Sequence, residues 1–186
     1  MIGVSDMEQS IKFYNELLGY DTVIYDKSGQ HKDFSYFSGE TNIRRVLLRH
    51  SKPRKGAFSR LFGETEIELI QSLDREPKKI FKDRMWGDLG YIHLCFDITG
   101  MDALRGSCIA HNCPFTVDSG DFDMGEAAGQ FAYIEDPDGT LIEFVETHKV
   151  PIMKKFGWFL DLRNRPAEKS LPIWMLKAMG LSRVKK

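Results

Sequence analysis

No run of about 18 apolar residues occurs anywhere in the sequence, which is the length a membrane-crossing helix needs. The first residues lack the basic flank and apolar stretch of a secretion signal, so a cytoplasmic location is expected. Cysteine is scarce. Cys95, Cys108 and Cys113 show no zinc-type pair spacing, and an odd number argues against a disulfide framework; three reduced thiols are expected. Net charge is nearly absent at −1. What is present is ordinary for a soluble globular protein: 42% hydrophobic and 28% charged residues in a chain of 186, enough for one domain or two fused halves with a sizeable core.

The most informative stretch is Phe131 to Glu146, FAYIEDPDGTLIEFVE. Asp136-Pro137-Asp138-Gly139 reads as a turn, because proline presets φ at its second position and glycine supplies a positive φ near its end. Strands on either side follow. Alternation then places Leu141, Glu143 and Val145 on one face of the second strand and Ile142 and Phe144 on the other. The apolar pair suits a core, which leaves Glu143 facing something that tolerates a carboxylate.

Toward the N-terminus, Met1 to Val4 read as the end of a strand, Ser5 or Asp6 as an N-cap, and Ile11, Phe13, Tyr14, Leu17 and Leu18 as a helical stripe stopped by Gly19. Strands are expected at Thr22 to Asp26, Arg44 to His50 and Thr65 to Gln71, with a charged, glycine-rich loop after the first and another from Ser51 to Gly63. Residues 72 to 89 read as a linker. The second half repeats the order: a strand at Gly90 to Ile98, a helix at Met101 to His111 with Leu104, Cys108 and Ile109 inward, a short strand at Pro114 to Val117, and the hairpin. Each half closes on a similar tetrapeptide, Ile67 to Ile70 (IELI) and Ile142 to Val145 (IEFV), the mark of a tandem duplication. Two such units would join into one cup.

The alternation rule selects the polar groups on these strands. Glu66, Glu68 and Ile70 oppose Ile67 and Leu69, and Tyr91, His93, Cys95 and Asp97 oppose Ile92, Leu94 and Phe96. If the polar faces line one cup, Glu68, His93 and Glu143 converge, and one imidazole with two carboxylates suits a divalent ion such as zinc, nickel, cobalt, manganese or iron. The bland alternative is that both glutamates are solvated acids on open sheet faces.

Three segments, GVSDMEQSIKFYNELLGY (3 to 20), GYIHLCFDI (90 to 98) and EDPDGTLIEFVE (135 to 146), resemble the vicinal oxygen chelate superfamily, which includes glyoxalase I, methylmalonyl-CoA epimerase, extradiol dioxygenases and the bleomycin and fosfomycin resistance proteins. The resemblance implies an α+β fold in which two tandem βαβββ modules form one sheet cup around a divalent metal. The domain would span 1 to 147, with module one at 1–71, a linker at 72–89 and module two at 90–147. By position it makes His93, Glu143 and Glu68 the metal ligands. The family's remaining ligand, usually a histidine, would fall just before Met1, so either the native chain starts upstream, or the first strand is cut short, or water or another side chain fills that position. The implied chemistry is that of a lyase or isomerase of the glyoxalase or epimerase type acting on a small carbonyl compound or thioester, with Glu143 or Glu68 as the base. An iron-dependent ring-cleaving dioxygenase and a metal-free binding or resistance protein are the rivals.

Further substrate-facing candidates are Tyr91, Cys95, Phe122 and Met124, the last two on the acidic, glycine-rich loop of residues 118 to 129. Cys95 is expected to be a small neighbour of the ligands rather than a nucleophile. Arg44, Arg45 and Arg49 are either an anion-binding group or a solvated face. The remainder, residues 148 to 186, is basic, with ten Lys and Arg against two acids, whereas residues 1 to 147 hold 16 against 25. This extension, partly helical through the apolar run Leu171 to Leu181, is expected to dock on the protein's own surface or across a homodimer interface. Neither nucleic acid nor a membrane is an expected partner.

Overall fold

The computed structural model describes residues 1–31, 42–80, 82–83, 87–153 and 156–180. It is an α+β protein with three α-helices and two mixed sheets among the described residues, divided into two compact units. The first comprises Met1–Pro53, Glu64–Ile92 and Glu135–Thr140; the second comprises Arg54–Gly63, His93–Ile134 and Leu141–Lys186.

The first unit opens with β1 (Ile2–Val4) and α1 (Met7–Glu16). Asp6 caps the helix, its carboxylate accepting the Gln9 N–H at 3.0 Å, which satisfies one of the donors a helix start leaves open. The chain leaves the helix through Gly19 at φ +74°, a conformation glycine adopts without penalty. β2 (Thr22–Gly29), β3 (Ile43–Arg49) and β4 (Glu66–Ser72) complete a four-stranded sheet of order β1-β4-β3-β2. β1 runs parallel to β4, and the other pairs are antiparallel. Val4, Met7, Tyr14, Val46, Leu48 and Leu69 are fully buried and form this unit's core.

The second unit repeats the pattern: β5 (His93–Asp97), α2 (Met101–Ala110), the two-residue strands β6 (Val117–Asp118) and β7 (Phe122–Asp123), then β8 (Ala128–Glu135) and β9 (Leu141–Met153). β5 is parallel to β9, as β1 is to β4. In each half the first strand lies against the last, and β6 and β7, which both pair with β8, together take the place of one strand of a βαβββ motif. β1 has three residues where β5 has five. The core here is Met101, Cys108, Ala132, Ile134, Ile142, Phe144 and Leu171.

Several elements differ from the sequence expectation. β5 begins at His93 rather than Gly90, and β9 runs on to Met153 because the extension returns as β10 (Trp158–Asp161) and pairs antiparallel with it. The loop from 118 to 129 is organised by β7, which pairs with the start of β8. Ile109, expected inward, is exposed, while Met101 and Cys108 carry the helix's buried stripe. α3 (Ile173–Met179) is the extension's helix. The loop expected after Asp26 falls partly on residues 32–41, outside the described residues.

The DPDG turn belongs to the first unit. Gly139 has φ +86°, as the sequence demanded. Buried Asp136 is its hub: Oδ1 accepts the N–H groups of Asp138 at 3.0 Å and Thr140 at 2.7 Å, and Oδ2 accepts the Tyr14 hydroxyl at 2.9 Å. The Ser5 N–H donates to Asp138 Oδ2 at 2.8 Å.

Candidate functional site

Ile142 and Phe144 point into the second unit's core with Ala132 and Ile134 of β8, so alternation turns Glu143 of β9 and Tyr133 of β8 to the opposite face. The parallel register sets Cys95 of β5 beside Glu143. Four side chains meet there. Tyr133 donates its hydroxyl to Glu143 Oε1 at 2.6 Å, His93 Nε2 lies 3.1 Å from Glu143 Oε2, and Cys95 stands opposite Glu143 in the strand register. The Glu143 and His93 side chains retain 16% and 28% exposure, so the centre is shielded yet reachable.

The environment keeps the phenol and the thiol protonated. Desolvation, then the hydrogen bond to Glu143 and that group's charge, push the Tyr133 phenol well above its ordinary value. Desolvation first, and the nearby carboxylate second, push the Cys95 thiol up to about 12. A thiol so seldom ionised is a poor nucleophile.

Rings line this face. Phe122 and Phe131 centroids lie 6.1 Å apart, Phe131 and Tyr133 6.0 Å, and Tyr133 and His93 5.5 Å, the last two pairs edge to face. The row crosses β7, β8 and β5 and ends at the imidazole. Sequence reasoning missed Tyr133, although the alternation applied to β9 would have found it on β8, two residues from Phe131.

Glu68 is placed differently. It belongs to the first unit, where its Oε1 accepts the Tyr25 hydroxyl at 2.5 Å and Arg45 Nε at 2.6 Å. The Glu68 and Arg45 side chains are only 11% and 13% exposed, and Arg45 also lies over the Tyr25 ring. Burial first, and the Glu68 carboxylate second, hold the Tyr25 phenol above its usual value. Arg44 and Arg49 are likewise engaged, by Asp26 and Glu8 and by Glu66 and Glu64. Of the remaining candidates, Tyr91 and Met124 are exposed and Phe122 is half-buried.

A cavity of about 210 Å³ in the second unit is lined by Phe122 with Asp121, Asp123, His148, Lys149 and Arg163. A second, of about 30 Å³, is bounded by Asp97, Glu146, His148 and the segment 162 to 167. Neither is lined by His93, Cys95, Tyr133 or Glu143; the chemistry-bearing cluster lies on the sheet face outside both.

Imidazole and carboxylate are suitable donors for a divalent metal, and His93 with Glu143 would supply two. Catalytic sites use three protein donors, and Glu68 already accepts from a guanidinium, which opposes a second cation at that carboxylate. Among the described residues no group of three or more His, Cys, Asp or Glu side chains is arranged to hold a metal ion. The donor set as arranged does not fit a complete metal site.

The two repeats, each with its first strand parallel to its last, form a fold shared with solved structures. A glyoxalase family protein from Bacillus cereus is similar at 16% identity and a TM-score of 0.60, over 78% of this chain and 89% of that one. A glyoxalase family protein from Enterococcus faecalis is similar at 19% identity and a TM-score of 0.52, over 78% and 92%. A glyoxylase/bleomycin resistance protein/dioxygenase domain from Frankia is similar at 17% and a TM-score of 0.50, again over 78% and 92%. At these identities the likeness is one of fold. No curated protein sequence matches the chain. The sequence model of the Glyoxalase/Bleomycin resistance protein/Dioxygenase superfamily matches residues 1–144, and the chain belongs to that superfamily.

Proposed function

We propose that the chain is a lyase or isomerase acting on a small carbonyl compound or thioester, with Glu143 as the proton-transferring base and residues 1 to 147 as the functional domain. The observation that carries this reading is the single carboxylate of Glu143, on the face away from the core, contacted on one oxygen by Tyr133 and on the other by His93. A carboxylate held by donors on a partly shielded face is the arrangement a general base requires.

In the reaction, Glu143 takes the proton of the carbon beside the carbonyl, and the electron pair of the broken C–H bond moves onto the carbonyl oxygen. Such a carbon acid is far weaker than a carboxylic acid of pKa roughly 4.3, so the oxyanion must be stabilised as it forms. As Glu143 takes up the proton its charge is lost, which releases the Tyr133 phenol and the His93 imidazole to donate to the oxyanion. Return of the proton by Glu143 to the neighbouring carbon gives isomerisation, whereas epimerisation requires a second donor that delivers a proton to the opposite face of the same carbon. The row of rings ending at His93 holds the substrate's apolar part against the sheet.

The test is solvent exchange. Hemithioacetals of α-keto aldehydes and acyl thioesters are incubated in deuterium oxide with the protein, with and without added zinc, nickel or manganese, and their C–H signals are followed by proton NMR. Exchange by the parent protein and its loss in Glu143→Gln support the reading, and added metals show whether an ion is required. Binding of these compounds without exchange in any condition points to the second reading, a metal-free small-molecule binding protein. That reading draws on the 2.6 Å Arg45–Glu68 contact, which occupies a carboxylate a metalloenzyme of this family would use.

A further inference from the structure

Two of the three cysteines meet at the end of α2. The helix closes with a nested pair of bonds: the Cys113 N–H donates to the Cys108 carbonyl at 3.0 Å, and inside it the Asn112 N–H donates to the Ile109 carbonyl at 3.1 Å. Asn112 has φ +56°, the left-handed conformation that asparagine adopts more readily than most residues. This is the Schellman closure of a helix, which packs the two residues joined by its outer bond against each other. Here both are cysteines. The Cys113 thiol turns back and donates to the Cys108 carbonyl at 3.4 Å. Burial first, and the charge of Cys113 second, push the Cys108 thiol up to about 12, so each sulfur lies within the other's field. Cys108 is fully buried and Cys113 half-buried, and both are free thiols.

We propose that Cys108 and Cys113 form a reversible disulfide that locks the last turn of α2 when the protein meets a peroxide. Half-buried Cys113 is the sulfur a peroxide reaches. Its thiolate attacks one peroxide oxygen, the O–O bond breaks, and the departing hydroxide takes up a proton to become water. The Cys108 thiolate then attacks the sulfur of the resulting sulfenic acid. The S–S bond forms, the S–O bond breaks, and a second hydroxide leaves and is protonated to water. In sum the two thiols give up two electrons and two protons, and hydrogen peroxide is reduced to two waters. A thiol reductant restores the pair by exchange. Burial raises Cys113 as well, so little of either thiol is ionised at neutral pH and the reaction quickens as pH rises. Cys95 is the control within the same chain, since it is exposed and faces Glu143 in the register of β5 and β9. Beyond Cys113 the chain runs directly into Thr116, whose N–H donates to the Tyr133 carbonyl at 2.8 Å, so the lock fixes the approach to β6 beside Tyr133.

Peptide mapping of the full chain tests this. The protein is treated with hydrogen peroxide, denatured in N-ethylmaleimide and digested with trypsin, which leaves Cys108 and Cys113 together in peptide 106–149 and Cys95 in peptide 85–105. Without peroxide, peptide 106–149 should carry a label on each cysteine. After peroxide it should carry none, weigh less by the two lost hydrogens, and regain both labels once dithiothreitol precedes the labelling, while peptide 85–105 keeps its own. The Tm of the oxidised protein should rise by about 4 °C. In Cys113→Ser, Cys108 has no partner and should keep its label under the same peroxide; mapping of the parent remains decisive if this variant folds poorly. The proposal is overturned if peptide 106–149 keeps both labels at every peroxide concentration, if it is recovered joined to peptide 85–105, if Cys108 loses its label in Cys113→Ser, or if protein carrying the bond melts where the reduced protein does.

Discussion

The Tyr133 hydroxyl donates to Glu143 Oε1 across 2.6 Å, joining residues ten apart in sequence through the β8–β9 pair. A hydrogen bond to a charged acceptor contributes about 1.5 to 3 kcal/mol. Tyr133→Phe should therefore lower the free energy of unfolding by about 1.5 kcal/mol in urea titrations. In a double-mutant cycle with Glu143→Gln the double variant should lose less than the sum of the two single losses. Strict additivity would show that the contact contributes nothing of its own.

Tyr14 and Asp136 are both buried and bonded at 2.9 Å. Burial, then the charge of Asp136 and the bond to it, raise the Tyr14 phenol far above its ordinary value, so it is always the donor. Tyr14→Phe removes one of the three donors to the Asp136 carboxylate and should cost about 1 to 3 kcal/mol. Asp136→Ala removes the acceptor of all three and should cost more. Equal losses by calorimetry would count against Asp136 as the hub of the turn.

Glu146 and Asp97 should impose opposite pH dependences. Burial by itself would raise Glu146, but the N–H groups of Gly100 and Met101, the Gln130 amide and the charge of His148 together hold it below the usual carboxylate range. Its stabilisation is present above the unfolded pKa and lost as pH falls through the folded one. Asp97 is raised by desolvation and by the charge of Glu146, so it destabilises when ionised and is relieved on protonation. Glu146→Gln should be less stable than the parent at neutral pH, Asp97→Asn more stable, and both gaps should close in acid. Denaturation midpoints of the two variants measured across this range check both signs.

Gly129 packs against the neighbouring strand so closely that an added Cβ would lie 2.4 Å from the Glu146 carbonyl oxygen. The obstacle is backbone, which cannot rotate away. Gly129→Ala should cost more than about 2 kcal/mol, visible as a fall in Tm; a change within experimental scatter would mean that β8 and β9 part without strain.

Much of this was legible in residue order. The DPDG turn, the Asp6 cap, the glycine that stops α1 and the alternation that separates Glu143 from Ile142 and Phe144 are local consequences of backbone geometry. They appeared where expected. The repeat of strand, helix and three strands was legible for the same reason, because each half carries its own periodicities. Less visible were contacts whose partners lie on different strands. Nothing in the sequence pairs Tyr133 with Glu143 or Arg45 with Glu68, and nothing near Asp136 names Tyr14. The length of β9 was misjudged because its second half is a strand only by virtue of β10.

Sequence alone determined the family, the βαβββ repeat and which side chains leave the core, since turn chemistry and a two-residue period act within a few residues. Tertiary structure decided what those side chains meet. Inter-strand register made Glu143 the acceptor of Tyr133 beside His93, gave Glu68 to Arg45, and left Trp158 and Trp174 exposed while Leu171 was buried. Register joins residues far apart in the chain, and no local preference encodes which donor arrives opposite which acceptor.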